Sequence, residues 1–325
     1  MTNQESLICA FHIDGVGSAE PVGWPELGRI EAQDEGFLWL HLNRQAAETR
    51  RWLSEDSGLP SIVCDFLLSA ATRPRCTPLG DGFVLNLRGV NLNPGAHEED
   101  MVSLRMWIQP GLIISTRLRH IQAIQDLREE ISAGRPPQDV GEFVYRVCHR
   151  LLKRTEPVVA SLDDQTDRLE ELILAGKSDR VRGNLTNLRE KTVKLRRYLH
   201  PQREALNFLA ETEINWLDDG RRELLFEIAN ASIRLVESLD QIRERAVIIH
   251  DELVRSLSRK ASQALYMVSL VAGVFLPLDF VTGLLGMNLG FIPWTSEPWA
   301  FTAVCAFLGA IVAFELWLFR RFQWI

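Results

Sequence analysis

Two long apolar runs close this 325-residue chain, Ala264–Leu285 and Ala300–Phe319, and the short segment between them begins Gly286-Met287-Asn288. A helix rising ~1.5 Å per residue crosses a hydrocarbon core of ~30 Å in about 20 residues, and both runs are that long and almost uncharged. The chain therefore reads as a membrane protein with two spans near its end, and a lipid bilayer is its first expected partner.

Charged residues make up 24% of the chain and fall almost entirely in its first 260 residues, so a soluble body precedes the spans. The formal net charge of -7 lacks the basic footprint of a nucleic-acid binder and suits a body that collects cations. Cys9, Cys64, Cys76, Cys148 and Cys305 show neither CxxC nor paired spacing, which predicts reduced, packed thiols. Met1–Ser6 is polar and has no apolar leader, so the body is expected in the cytoplasm. Arg255, Arg259 and Lys260 precede the first span and Arg320 and Arg321 follow the second, whereas the loop 286–298 holds no basic residue. By the positive-inside rule both termini are cytoplasmic and the loop faces outward. Trp294 and Trp299 at one interface, with Trp317 and Trp324 near the other, fit aromatic belts.

Residues 1–120 read as a mixed α/β domain. Strand-like runs occur at Leu7–Ile13, Phe37–Leu42, Phe83–Val90, Leu104–Ile108 and Leu112–Thr116, with a turn at Gly80-Asp81-Gly82 and helices near Gln45–Ser54 and Ser61–Ala71. From Gln122 the apolar spacing becomes three and four, and residues 121–216 read as a helical hairpin. Its first helix covers Val140–Ala175, through Pro157; Gly176 stops it, and Ser178 caps a return helix from Asp179 to about Ala210. Asp218-Asp219 then caps a third helix with no proline before Pro277. This helix is expected to run unbroken from a stalk, 217–263, into the first span, 264–285. The external loop 286–299, the second span 300–319 and a cytoplasmic tail 320–325 complete the chain. The fold class is thus an α+β cytoplasmic domain, then long helices, then two C-terminal transmembrane helices.

Stepping about 100° per residue along the third helix places Asp251, Val254, Ser258, Ser262, Leu265, Ser269, Ala272, Leu276, Asp279 and Gly283 within one band. Small residues also mark close helix packing in bilayers, and for Ser269 and Ala272 alone that reading is favoured. Asp279 changes the balance. A carboxylate in hydrocarbon costs ~2.5–3.5 kcal/mol on insertion scales, so it is expected to face water, a partner or a substrate path. Two helices cannot enclose a channel, so a pore along this stripe requires several copies of the chain. Glu315, about one turn before Arg320, reads as an interfacial residue reaching headgroups or a basic neighbour.

The run Phe275-Leu276-Pro277-Leu278-Asp279-Phe280-Val281-Thr282-Gly283-Leu284-Leu285-Gly286-Met287-Asn288 resembles the pore helix of the CorA family of divalent-cation transporters. The resemblance covers essentially the whole chain. The adjoining Leu289-Gly290-Phe291-Ile292-Pro293 is closer to the family's zinc-transporting ZntB branch than to the acidic loop of magnesium transporters. Trp39-Leu40-His41-Leu42-Asn43, Thr72-Arg73-Pro74-Arg75, Ile114-Ser115-Thr116-Arg117 and Pro201-Gln202-Arg203 also resemble that branch. The resemblance implies a funnel-shaped homopentamer in a bacterial inner membrane, with the first span lining the pore. It implies metal contacts at Asn288 and Asp251, and the charge of Asp279 on the same band suggests a third between them. Asn288 would form the outer ring, Met287 would pack behind it, and Gly286 would permit a tight exit from the helix. Leu276 would form an apolar constriction, and Thr282 belongs to the same motif. The family commonly has threonine where this chain has Asp279. A ring of five acids would repel one another and hold protons until a cation replaces them, which suggests proton exchange for metal.

No cofactor is expected beyond the transported cation. The histidines and cysteines show no chelating spacing, so zinc rests on the resemblance, and the oxygen donors equally allow Mg²⁺, Co²⁺, Ni²⁺ or Cd²⁺. No nucleophile elbow, P-loop, Rossmann fingerprint or metalloprotease helix points to an enzyme. The competing class is a membrane-anchored structural or sensory protein, which would carry no cation and give Asn288 no role.

Overall fold

The computed structural model describes residues 6–24, 35–70, 73–177, 180–287 and 299–322. The chain divides into two units, Met1–Asp251 and Glu252–Ile325.

The first unit is built on a seven-stranded sheet. Its strands are β1 Leu7–Ile13, β2 Ala19–Pro21, β3 Phe37–Asn43, β4 Arg75–Leu79, β5 Gly82–Gly89, β6 Val102–Gln109 and β7 Leu112–Arg117, in the spatial order β2-β1-β3-β7-β6-β5-β4. Strands β4 to β7 form an antiparallel meander, and β3 joins β7 in parallel with Trp39 opposite Ile113 and His41 opposite Ser115. Two strands absent from the sequence reading, β2 and β4, are the sheet's two edges. Each carries a proline, Pro21 and Pro78, where an edge tolerates a missing N–H and is protected from pairing with another chain.

Both faces of the sheet are covered, which explains why β3 is apolar at nearly every position. Leu38, Leu40 and Leu42 pack with Trp52, Leu53, Phe66 and Leu67 of helices α1 Ala47–Glu55 and α2 Ser61–Leu68. Phe37 and Trp39 pack on the other side with Phe143, Val147 and Leu151 of α4 Val140–Leu174, and with α3 Gln122–Ser132. Within this layer Trp39 lies edge-on to Phe143 at 4.9 Å between ring centroids. Gly36 has φ +73°, and a Cβ there would stand 2.1 Å from the Ile13 carbonyl oxygen, so only glycine fits the entry to β3.

The long helices start and stop where local chemistry directs. Asp139 accepts a bond from the Glu142 N–H at 2.7 Å and caps α4. At its other end Gly176, φ +72°, places its N–H on Ile173 O and that of Lys177 on Leu172 O, closing the last turn in a Schellman motif. Pro157 lies inside α4 without ending it. The return helix is α5 Val181–Glu211; the expected cap at Ser178 lies outside the described residues. Helix α6 spans Asp219–Gly286 and continues through Pro277, and Asp218 accepts from Arg221 N–H at 2.8 Å in the capping position. Leu225, Ile228, Ser232, Val236, Leu239, Ile242, Ala246 and Ile249 of α6 are buried at a spacing of three and four, a coiled-coil seam. Beside it Arg245 bonds Asp163 at 2.9 Å and Glu170 at 2.8 Å and also reaches Asp167, while Arg196 of α5 pairs with Asp240. Arg245 holds the Glu170 carboxyl below its ordinary range.

At the centre of the sheet a polar network replaces apolar packing. Ser115 Oγ donates to Leu40 O at 3.0 Å and accepts from Trp39 Nε1 at 2.9 Å, and His41 Nδ1 lies 2.8 Å from the same oxygen. Because the Ser115 proton is already committed, His41 Nδ1 donates to Ser115 Oγ. His41 is 1% exposed; burial first, then the charges of Arg117, Arg128 and His120, hold its pKa well below the ordinary 6.5. A depressed histidine pKa gives stability that is complete above the unfolded value and is lost as pH falls below it. The apparent melting temperature is therefore expected to fall as pH drops below about 6.5, and to fall less steeply in His41→Gln; parallel pH slopes in thermal melts would contradict the assignment.

Candidate functional site

The residues singled out by the sequence lie on α6 or immediately after it. Asp251 is the last residue of the first unit and is exposed. In the apolar part of the helix Ser269, Leu276, Asp279, Thr282 and Gly283 are all exposed. Gly286 is the last helical residue and Met287, 47% exposed, follows it. Asn288, Trp294 and Trp324 lie outside the described residues.

The exposure follows from how α7, Ala300–Arg321, packs in the second unit. Leu270, Gly273, Val274, Pro277, Leu278 and Val281 are half-buried on one side of α6, and Ala272 is half-buried on the other. A Cβ on Gly273 would stand 3.3 Å from the Phe319 ring, which fixes α7 to that side. Leu276, Asp279 and Gly283 point away from α7. Ser269 and Asp279 thus have no seam within their own chain, which small-residue packing between α6 and α7 would require.

Two local details bear on the motif. The Thr282 hydroxyl lies 2.9 Å from Leu278 O and 3.1 Å from Asp279 O, so its proton serves the backbone of its own helix and its lone pairs remain available. Gly286 is not among the positive-φ glycines, and a Cβ there or at Gly283 would meet nothing within 4 Å. Gly286 has a helical backbone, and the chain beyond Met287, where the expected tight exit falls, lies outside the described residues.

Of the two expectations for Glu315, headgroups or a basic neighbour, the second is not met among the described residues. Glu315 lies half-buried on the side of α7 that carries Leu308, Ile311 and Leu318, and its Oε2 is shut off from solvent without a hydrogen-bond partner. The seam 304-308-311-315-318 was present in the sequence as a spacing of three and four, and would have placed it. Arg320 and Arg321 end α7, where positive charge suits the helix dipole, and Trp299 and Trp317 are exposed.

Among the described residues no group of three or more His, Cys, Asp or Glu side chains forms a ready metal-binding cluster. Helices α6 and α7 are long and apolar enough to cross a membrane, and neither apolar segment is buried within the chain. The body and the two apolar helices define a two-span membrane protein whose polar helix face is left open.

Residues 34–321 match the family described as CorA-like Mg²⁺ transporter protein. The chain is 37% identical over 325 residues to the divalent cation transporter CmaX of Pseudomonas aeruginosa, covering 99% of this chain and 98% of the relative. It is 33% identical over 316 residues to the zinc transport protein ZntB of Pectobacterium carotovorum subsp. carotovorum, covering 97% and 95%. The solved structure of full-length CmaX superposes with a TM-score of 0.85 at 37% identity, covering 99% of both chains. This chain belongs to the CorA family of divalent-cation transporters.

The thiols provide a check on this arrangement. Burial pushes Cys9, Cys76 and Cys148 up to about 12 and raises Cys64, whereas Cys305 is exposed. At neutral pH Cys305→Ser is expected to leave a chain whose thiols react only after denaturation; rapid labelling of the folded variant by a thiol reagent would contradict the burial described.

Proposed function

We propose that five copies of this chain enclose an aqueous path between their α6 helices and carry a divalent cation, Zn²⁺ in the first place, across a bacterial inner membrane with both termini in the cytoplasm. The observation that carries the proposal is the exposed face of α6 opposite α7, where Asp279 stands in a segment that is otherwise apolar. Lipid is a poor solvent for that carboxylate and a shared water-filled lumen is a good one. Self-association has support further back on the same helix, where Val247 and Ile248 are 46% and 68% exposed on a surface that water would not favour.

In this arrangement Asn288 amide oxygens meet the hydrated ion at the outer mouth, Asp279 carboxylates receive it within the bilayer, Leu276 narrows the path, and Asp251 forms the acidic cytoplasmic end. Ser269, Thr282 and Gly283 line the intervening wall, and Gly286 and Met287 support the mouth. Two carboxylates ~8 Å apart repel by about 2 kcal/mol at an effective dielectric constant of ~20. Five of them around one axis favour either a bound cation or shared protons, so cation movement is coupled to proton exchange at Asp279. Zinc as cargo is supported by full-length similarity to proteins named zinc transport protein ZntB. A second reading, Mg²⁺ or Co²⁺, has support from the family description and from the oxygen-only donors.

Reconstituted into liposomes, the wild-type chain is expected to take up Zn²⁺ at a rate that depends on pH. Asp279→Thr should weaken uptake or remove its pH dependence, and Asn288→Ala should slow uptake; unchanged Asp279→Thr flux across pH contradicts the coupling. Running the assay with Mg²⁺ separates the two cargoes. In the Cys305→Ser background, cysteines at Ser269, Leu276 and Gly283 should react with a charged, water-soluble thiol reagent, whereas cysteines at Val274 and Leu278 should not. The reverse pattern would place the wrong face of α6 in water.

A further inference from the structure

A groove of about 790 Å³ lies on the body, lined by α3, α4 and the segment between β5 and β6. Along it α4 presents two rows of side chains at a spacing of four. Arg146, Arg150 and Arg154 form one row, and acids hold each in place. Arg146 bonds Glu142 at 2.6 Å, Arg150 pairs with Glu130, and Arg154 Nε bonds Asp126 at 2.9 Å. The Arg150 side chain is 15% exposed and also donates to the Arg146 carbonyl, so this row is a fixed and nearly neutral floor. Arg154 keeps its Nη1 without a partner among the described residues.

Tyr145, His149 and Lys153 form the second row. The Tyr145 and His149 rings stack, with centroids 5.7 Å apart and planes at 26°, and His149 is the exposed member of the pair. One turn further on, Lys153 is exposed and has neither an ion pair nor a hydrogen bond among the described residues. Pro157 follows after another turn and has no N–H to give the Lys153 carbonyl, its usual helical acceptor. The segment between β5 and β6 contributes Leu92 and Glu98, both exposed.

We propose that this groove binds a nucleoside phosphate. A stacked ring pair that is open on one side extends naturally onto a heteroaromatic base. Lys153 stands one helical turn, ~5.4 Å, beyond the rings, a gap that a ribose bridges, and there its ammonium and the spare Arg154 N–H groups meet the phosphate. The carbonyl freed by Pro157 accepts from a ribose hydroxyl, and Glu98 accepts from an exocyclic amine. A bare inorganic anion suits the groove less well. The arginine row is already neutralised by its own acids, so Lys153 is the uncommitted positive charge, and a ligand that carries donors as well as phosphate oxygens answers both signs. The volume falls within the ~300–1,000 Å³ of small-molecule sites. The site lies wholly within the body and does not depend on the reading of α6 as a pore helix.

Equilibrium dialysis of radiolabelled adenosine 5′-diphosphate against the full-length protein in lipid nanodiscs tests the proposal, with a chelator present so that no metal bridges the phosphate to an acidic residue. The expected result is saturable binding of one nucleotide per chain, with adenosine alone and inorganic pyrophosphate alone each weaker by about tenfold or more. Tyr145→Ala and Lys153→Ala should each weaken the diphosphate by about tenfold or more, and Lys153→Arg should retain it. Should Tyr145→Ala fail to fold, Lys153→Glu, at an exposed position without partners, carries the test, with its thermal melt compared to that of the wild type. No saturable binding to the wild type, or wild-type affinity in Lys153→Glu, overturns the site. Pyrophosphate binding as tightly as the diphosphate overturns the assignment to a nucleoside phosphate.

Discussion

A charge on a helix made for hydrocarbon is the constraint from which the rest of the structure follows. Asp279 sits among Phe275, Leu278 and Phe280 in a segment apolar enough to cross a bilayer. Its own chain does not cover it: α7 packs against the other side, along Gly273, Pro277 and Val281. The single chain is in this sense incomplete. Burying α6 on one side and leaving its polar side open makes sense when identical helices supply the remaining walls, and a membership shared with divalent-cation transporters gives that opening a purpose.

The body is suited to rigidity. Covering the sheet on both faces, seating Trp39 against Phe143 and closing the Ser115 network around His41 leave little freedom in the layers. Charge pairs such as Arg245 with Glu170 and Asp163 flank the seam between α6 and its neighbours, where their geometry fixes register more than it adds stability. A helix anchored in this way is a defined element, which is what a conformational signal along α6 requires.

Much of this was legible in the sequence, for identifiable reasons. Apolar length revealed the spans, Gly176 and Asp218 marked helix ends, and short strand-like apolar runs bounded by turn residues revealed β1, β3, β5, β6 and β7. The edge strands β2 and β4 were not legible, because Ala19–Pro21 is only three residues long and Arg75–Leu79 is largely exposed and contains proline. The sheet order, with β3 beside β7, depends on long-range pairing that local patterns do not encode. Asp279 was found from its charge and its angle on the helix. The half-burial of Glu315 was not anticipated, because its distance from Arg320 was weighed and its spacing with Leu308, Ile311 and Leu318 was not. Asn288, the outermost residue of the motif, is legible only through the family resemblance.

The most direct test of the account is a structure of the zinc-loaded protein in a lipid bilayer, with the metal located by its anomalous signal or as density on a symmetry axis. The account predicts a closed ring of five chains, α6 innermost and α7 outside it, with zinc on the axis at the level of the Asp279 carboxylates. An assembly in which Asp279 faces lipid or packs against α7, with no metal on the axis, would contradict it.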